Sequence, residues 1–181
     1  MSCRCAGRTP RDYEMLVQSQ CSLTHLCLVD VVLDNNLANI IPLMPSLQEF
    51  VLEFYEWIPD FYDPVMQSDL VTQMSAVSLV DGSHQHSMVP FLPALGIYLP
   101  TIQYTHVSVI NSSFVGMVAS RLRRPHDVSH LVKLDLWVMG RGWSYGLDKW
   151  DENAMNRLKD EGLELDFCLF DGDPVPDSDE L

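Results

Sequence analysis

Two stretches of this chain bring metal-binding residue types together. Cys3-Arg4-Cys5, followed by Cys21, His25 and Cys27, supplies the thiols and imidazole that a structural zinc takes. The C-x-C pair and the long gap before Cys21 do not follow a familiar ligand spacing, so reduced, scattered thiols are expected. His84-Gln85-His86 with Asp81 offers three more ligands in a polar stretch that reads as a solvated loop. No metal and no cofactor is expected at either place.

Other groupings are weaker still. Asp171-Gly172-Asp173 has the D-x-D form that holds a metal-bound nucleotide in some glycosyltransferases, but it falls in an acidic terminal stretch and follows no buried strand of a nucleotide-binding sheet. Gly140-Arg141-Gly142-Trp143 lacks the Lys and Ser/Thr of a phosphate-binding loop, and a turn needing positive φ at its glycines explains it. There is no G-x-S-x-G and no Ser or Cys at a strand-to-helix turn, so the chain is not expected to be an enzyme. Arg121, Arg123 and Arg124 cluster near His126 and His130 at the end of an apolar-periodic segment. Cations there suit a helix C-terminus, and as a basic patch they would fit an acidic or phosphorylated partner segment.

The charge balance narrows the partners. Eleven Lys+Arg against 25 Asp+Glu give −14, which repels nucleic-acid phosphates and anionic membranes. No apolar run approaches the ~20 residues of a spanning helix, and Met1 to Gln20 lacks the apolar centre of a secretory signal. The cytoplasm or nucleus is expected, with the final Ser178 to Leu181 read as the plain end of an acidic tail. The 181 residues, 47% hydrophobic, can fill one core.

The elements that would position these residues follow a spacing. Leu23, Leu26, Leu28, Val31 and Leu33 match L-x-x-L-x-L-x-x-(x)-L, the strand segment of a leucine-rich repeat, and Leu47, Phe50, Leu52 and Tyr55 repeat it 24 positions on. Between them Leu37, Ile40, Ile41 and Met44 share a helix face, capped by Asp34 or Asn35 and stopped by Pro45. Looser copies stand at Met74, Val77 and Leu79, at Leu92, Leu95 and Ile97, and at Leu131, Leu134 and Leu136.

A helix with Val115, Val118, Ala119 and Leu122 on one face is capped by Ser112 or Ser113, after a β-branched run over 105–110 that reads as a further short strand. A last helix runs from about Asp151 to a Gly162 C-cap, and 163–169 alternates as a strand. The predicted fold is α/β, a short irregular leucine-rich-repeat solenoid with a parallel sheet on one face. It occupies 20–170, between a poorly patterned 1–19 and a disordered acidic tail over 171–181.

Strand side chains alternate, so positions between the leucines face outward together. That face is predicted to carry His25, Cys27, Val29 and Asp30, then Glu49, Val51, Glu53 and Phe54, then Tyr98, Lys133, Asp135 and Trp137. Aromatics beside charges suit a protein interface.

Four segments carry a resemblance. Leu79 to Ser83 (Leu-Val-Asp-Gly-Ser), Ile110 to Arg121, Leu131 to Val138 and Asp160 to Phe167 resemble the C-terminal half of fungal F-box proteins with degenerate leucine-rich repeats, over roughly Ser22 to Phe170. The resemblance implies a protein-interaction module like the substrate-recognition part of a cullin-type ubiquitin ligase. No L-P-x-E-type segment precedes Leu23, so the ligase adaptor and cullin are expected partners only with an F-box upstream. A free-standing repeat scaffold or a non-functional fragment is the alternative. The bound protein substrate is unknown.

Overall fold

Alternation of large apolar with smaller or polar residues builds the central sheet. In β1 (Ser2–Ala6), β2 (His25–Val29) and β3 (Glu49–Glu53) the strands lie side by side, and Leu26, Leu28, Phe50 and Leu52 turn to one face, where each is buried. The computed structural model describes residues 2–6, 22–30, 41, 44–58, 71–75, 77–80, 83–86, 92–103, 105–123 and 131–171. The segments predicted as a helix around Leu37, the strand ends Val31 and Leu33, Arg124 and the tail beyond Asp171 lie outside these residues.

A helix α1 (Thr72–Ser75) and two short strands, β4 (Val77–Val80) and β5 (Ser83–His86), precede β6 (Ala94–Gln103). Then come β7 (His106–Asn111), α2 (Ser112–Leu122), β8 (Lys133–Arg141), β9 (Ser144–Gly146), α3 (Lys149–Asp160) and β10 (Glu164–Asp171). The main sheet has six strands in the order β1-β2-β3-β6-β8-β10, every neighbouring pair parallel. Each later strand is thus added on the same side as the chain advances. The molecule is a mixed α/β fold with one mostly parallel sheet.

The strand copy predicted at Met74, Val77 and Leu79 does not join that sheet. Met74 is buried in α1, and β4 pairs antiparallel with β5, from which only Asp81 and Gly82 separate it. Asp81 and Gly82 lie outside the described residues, but Asp-Gly is a sequence that favours a two-residue connection between antiparallel strands, so the leucine spacing yields to local pairing. His84-Gln85-His86, predicted as loop, is strand β5. The run over 105–110 does form a strand, β7, whose partner is β9 in a separate parallel pair.

In α2, Phe114, Val115, Met117, Val118 and Arg121 are buried, one stripe at helical spacing. Its N-cap is Asn111 and not the predicted Ser112 or Ser113. Asn111 is extended and its side-chain oxygen accepts from the Ser113 and Phe114 amides at 2.8 and 3.2 Å, leaving both serines inside the helix. α3 begins with a capping box between Asp148 and Asp151, earlier than the predicted Asp151 start. It ends at Gly162, where φ is +112°. The Gly162 amide donates to the Lys159 carbonyl and the Leu163 amide to that of Leu158, each at 3.0 Å, with Leu158 and Leu163 both buried. This is a Schellman termination, and it delivers the chain into β10.

Between β6 and β8 three residues of one strand span two of the other, from the Leu99–Val138 pair to the Ile102–Gly140 pair. The bulge turns Gly140 to φ +153°, and a Cβ there would stand 1.7 Å from the Ile102 carbonyl oxygen. Gly142 also has positive φ, as expected for the Gly140-Arg141-Gly142 turn. Inside, Leu26, Phe50, Leu95, Leu134, Phe114, Val118, Met155 and Leu158 belong to one continuous apolar core.

Candidate functional site

In-register parallel pairing lines up the outward positions of successive strands into rows. One row runs His25, Glu49, Ala94, Lys133, Glu164, the next Cys27, Val51, Gly96, Asp135, Asp166, and the third Val29, Glu53, Tyr98, Trp137, Cys168. Their inward neighbours on β2, β3, β6 and β8 are nearly all buried, whereas most of these side chains are exposed or half-exposed. The predicted face residues His25, Cys27, Glu49, Glu53, Tyr98, Lys133, Asp135 and Trp137 are therefore brought together.

A hydrogen-bonded group sits at the centre. The Tyr98 hydroxyl donates to Asp135 Oδ2 at 2.9 Å, and the Lys133 ammonium meets the same oxygen at 2.9 Å. Gly96 makes room for the ring: a Cβ there would lie 2.8 Å from Tyr98 Cε2 and 3.2 Å from Val51 Cγ2. Burial, then the hydrogen bond to Asp135 and the nearby carboxylates, pushes the Tyr98 phenol well above its ordinary value. Lys133 is likewise held protonated by Asp135. Trp137 stands beside this group, 37% exposed, its ring tilted 48° to that of Tyr98 with centroids 6.1 Å apart. At the other end His25 Nε2 lies 3.6 Å from Glu49 Oε2, and its Nδ1 is 2.8 Å from the Thr24 hydroxyl.

Three predicted face positions have other work. Asp30, at φ +47°, accepts the Tyr55 amide at 2.8 Å and holds a turn. Val29 is buried. Phe54 is fully buried and Tyr55 exposed, the reverse of the prediction, because the chain leaves β3 at Glu53. The Phe54 amide then donates to the Tyr98 carbonyl at 2.9 Å, and the Phe54 ring packs edge-on against Trp57.

Of the predicted basic patch, Arg124 lies outside the described residues, and Arg121 and Arg123 part company. Arg121 is only 2% exposed and its Nε donates to the Met74 carbonyl at 3.0 Å, so it ties α1 to α2 inside the protein. The guanidinium belongs to the buried stripe of α2, where its stem replaces an aliphatic side chain. Arg123 is at the surface in a two-pronged ion pair with Glu161, at 2.7 and 2.8 Å, which raises the arginine's pKa and lowers the carboxylate's.

β10 adds residues that the sequence reading did not assign to the face: Glu164, Asp166 and Cys168. Their alternation with Leu165, Phe167 and Leu169 was visible, but the register that sets Asp166 beside Asp135 was not. Around the β10 edge, Glu152, Met155, Asn156, Lys159, Leu165, Asp166 and Phe167 line an open groove of about 420 Å³ against α3. Among the described residues no group of three or more Cys, His, Asp or Glu side chains could hold a metal, and no helix is long and apolar enough to cross a membrane. Comparison with protein-family models, with curated proteins and with solved structures finds no match.

Proposed function

We propose that this chain is a protein-recognition module that binds its partner on the outward face of the six-stranded sheet. The observation that carries the reading is the exposed Trp137 beside the Tyr98–Asp135–Lys133 group, on a face assembled from register-matched strands. An aromatic anchor flanked by charges on a rigid sheet is what a specific interface needs, since little side-chain entropy remains to be lost on binding. Parallel strands added one after another in chain order support a short, irregular leucine-rich-repeat-like array, in which this is the shared contact surface.

With the resemblance to F-box proteins, the role that fits is substrate recognition for a cullin-type ubiquitin ligase. The test is affinity purification of the full-length natural gene product and of its Trp137→Ala variant from the native cell. Proteins retained by the first and lost by the second mark the face as the binding surface. Co-purification of an adaptor and a cullin with both forms supports the ligase role, and their absence from both favours a free-standing scaffold. Identical protein sets for the two forms would overturn the face as the site.

A further inference from the structure

Asp135 and Asp166 are direct register partners on neighbouring parallel strands, so two carboxylates share the open face with their backbones about 5 Å apart. Lys133 answers the first at 2.9 Å, and among the described residues no ion pair reaches the second. Glu49, Glu53 and Glu164 extend the negative field, against which the rows set Lys133, His25 and, at the far β1 end of the Asp135–Asp166 row and four strands from Asp135, Arg4. Like charges on adjacent strands oppose folding, and a cation from outside relieves them. Trp137 lies one position along the row from Cys168, diagonal to Asp166, and offers a partly exposed indole. Asp135 Oδ1 is buried and accepts no hydrogen bond, although Oδ2 is fully engaged.

We propose that the face takes a basic segment of a partner protein, with one arginine of that segment seated between Trp137 and the Asp135–Asp166 pair. A guanidinium is planar, stacks on an indole and forks between carboxylate oxygens, a combination that an ammonium cannot offer. By displacing the half-exposed Lys133 ammonium it would take over the Asp135 Oδ2 that Lys133 now holds. Nucleic acid and anionic membrane are repelled by the same field. The assignment rests on the open-face reading above and adds the chemistry of the partner.

A random-peptide display library panned against the immobilised full chain tests both. The expected result is enrichment of arginine-bearing peptides whose binding falls about tenfold or more in Trp137→Ala and in Asp166→Asn, weakens with added salt, and is unchanged in Trp150→Ala. Asp166 and Trp150 are both exposed, so neither substitution disturbs the core. Enriched peptides that are apolar or acidic, yet still lose binding in Trp137→Ala, would overturn the arginine assignment and leave the open face standing. Peptides indifferent to every face substitution, or no enrichment at all, would overturn both.

Discussion

The Tyr98 hydroxyl reaches across from β6 to Asp135 on β8, 2.9 Å away, over the one position of its strand that has no side chain, Gly96. Tyrosine, glycine and aspartate thereby form one unit. Tyr98→Phe keeps the ring and removes the donor, so it is expected to cost about 1 kcal/mol in urea unfolding. The pH response gives a second reading. Because the phenol of the folded chain titrates above its ordinary value near 10, the unfolded chain loses this proton first as pH rises. The stabilisation is complete below pH 10 and is lost as pH climbs toward the folded value; Tyr98→Phe should flatten that alkaline decline.

Gly96→Ala tests the same unit from beneath. The added methyl would meet the Tyr98 ring at 2.8 Å, closer than two carbons approach, and must push it off Asp135. A loss of about 1–3 kcal/mol is expected, typical of overpacking. In a Tyr98→Ala background the nearer obstacle is gone and only the Val51 methyl at 3.2 Å remains, so the cost of Gly96→Ala should shrink to below about 1 kcal/mol. Equal costs in both backgrounds would disprove the coupling.

Gly140→Ala is expected to be the more damaging glycine substitution. At φ +153° an L side chain is strained, and its Cβ would fall 1.7 Å from backbone that cannot turn aside. About 3 kcal/mol or more should be lost, seen as a large fall in the urea midpoint or as insoluble expression.

The inward leucines were legible because a period of two assigns faces without any knowledge of partners: Leu26, Leu28, Leu95, Ile97, Leu134 and Leu136 are all buried. Gly162 was legible as a helix end because left-handed backbone there is a local demand. What escaped depends on neighbours far along the chain. Met74, Val77 and Leu79 have the right spacing for a strand, yet the segment divides between a helical turn and a hairpin strand. Phe54 and Tyr55 exchange places because their two amides, donating to the Tyr98 carbonyl and to the Asp30 carboxylate, rotate the chain just past β3. The Asp135–Asp166 juxtaposition is a matter of register between strands separated by α3. Arg121 was the avoidable miss, since it continues the Phe114, Val118 stripe by three residues and so sits on the buried side of its own helix.

The two arginines at the end of α2 should respond oppositely to alanine. Arg121→Ala removes a buried stem and leaves the Met74 carbonyl short of a donor, with an expected loss of about 2–4 kcal/mol in chemical unfolding. Arg123→Ala breaks only a solvent-exposed ion pair and should leave the unfolding midpoint nearly unchanged in ordinary salt. A basic binding patch would require the reverse, with Arg121 dispensable to the fold.

The junction of the two long helices is held through Asp151. Its Oδ2 accepts the Asp148 amide at 3.3 Å, closing the capping box of α3, and the Ser112 hydroxyl at 2.8 Å, from the first turn of α2. A single carboxylate therefore serves one helix start and anchors another. Asp148→Ala removes the acceptor of the Trp150 and Asp151 amides and should cost about 1 kcal/mol, the usual price of an N-cap. Asp151→Ala loses the reciprocal bond and the interhelix bond together. A double-mutant cycle between Asp151→Ala and Ser112→Ala should return a coupling of about 0.5–1.5 kcal/mol, because each single change already breaks the shared contact. Strict additivity would mean that the serine is solvated in the folded chain and that α2 and α3 are held together by their buried faces alone.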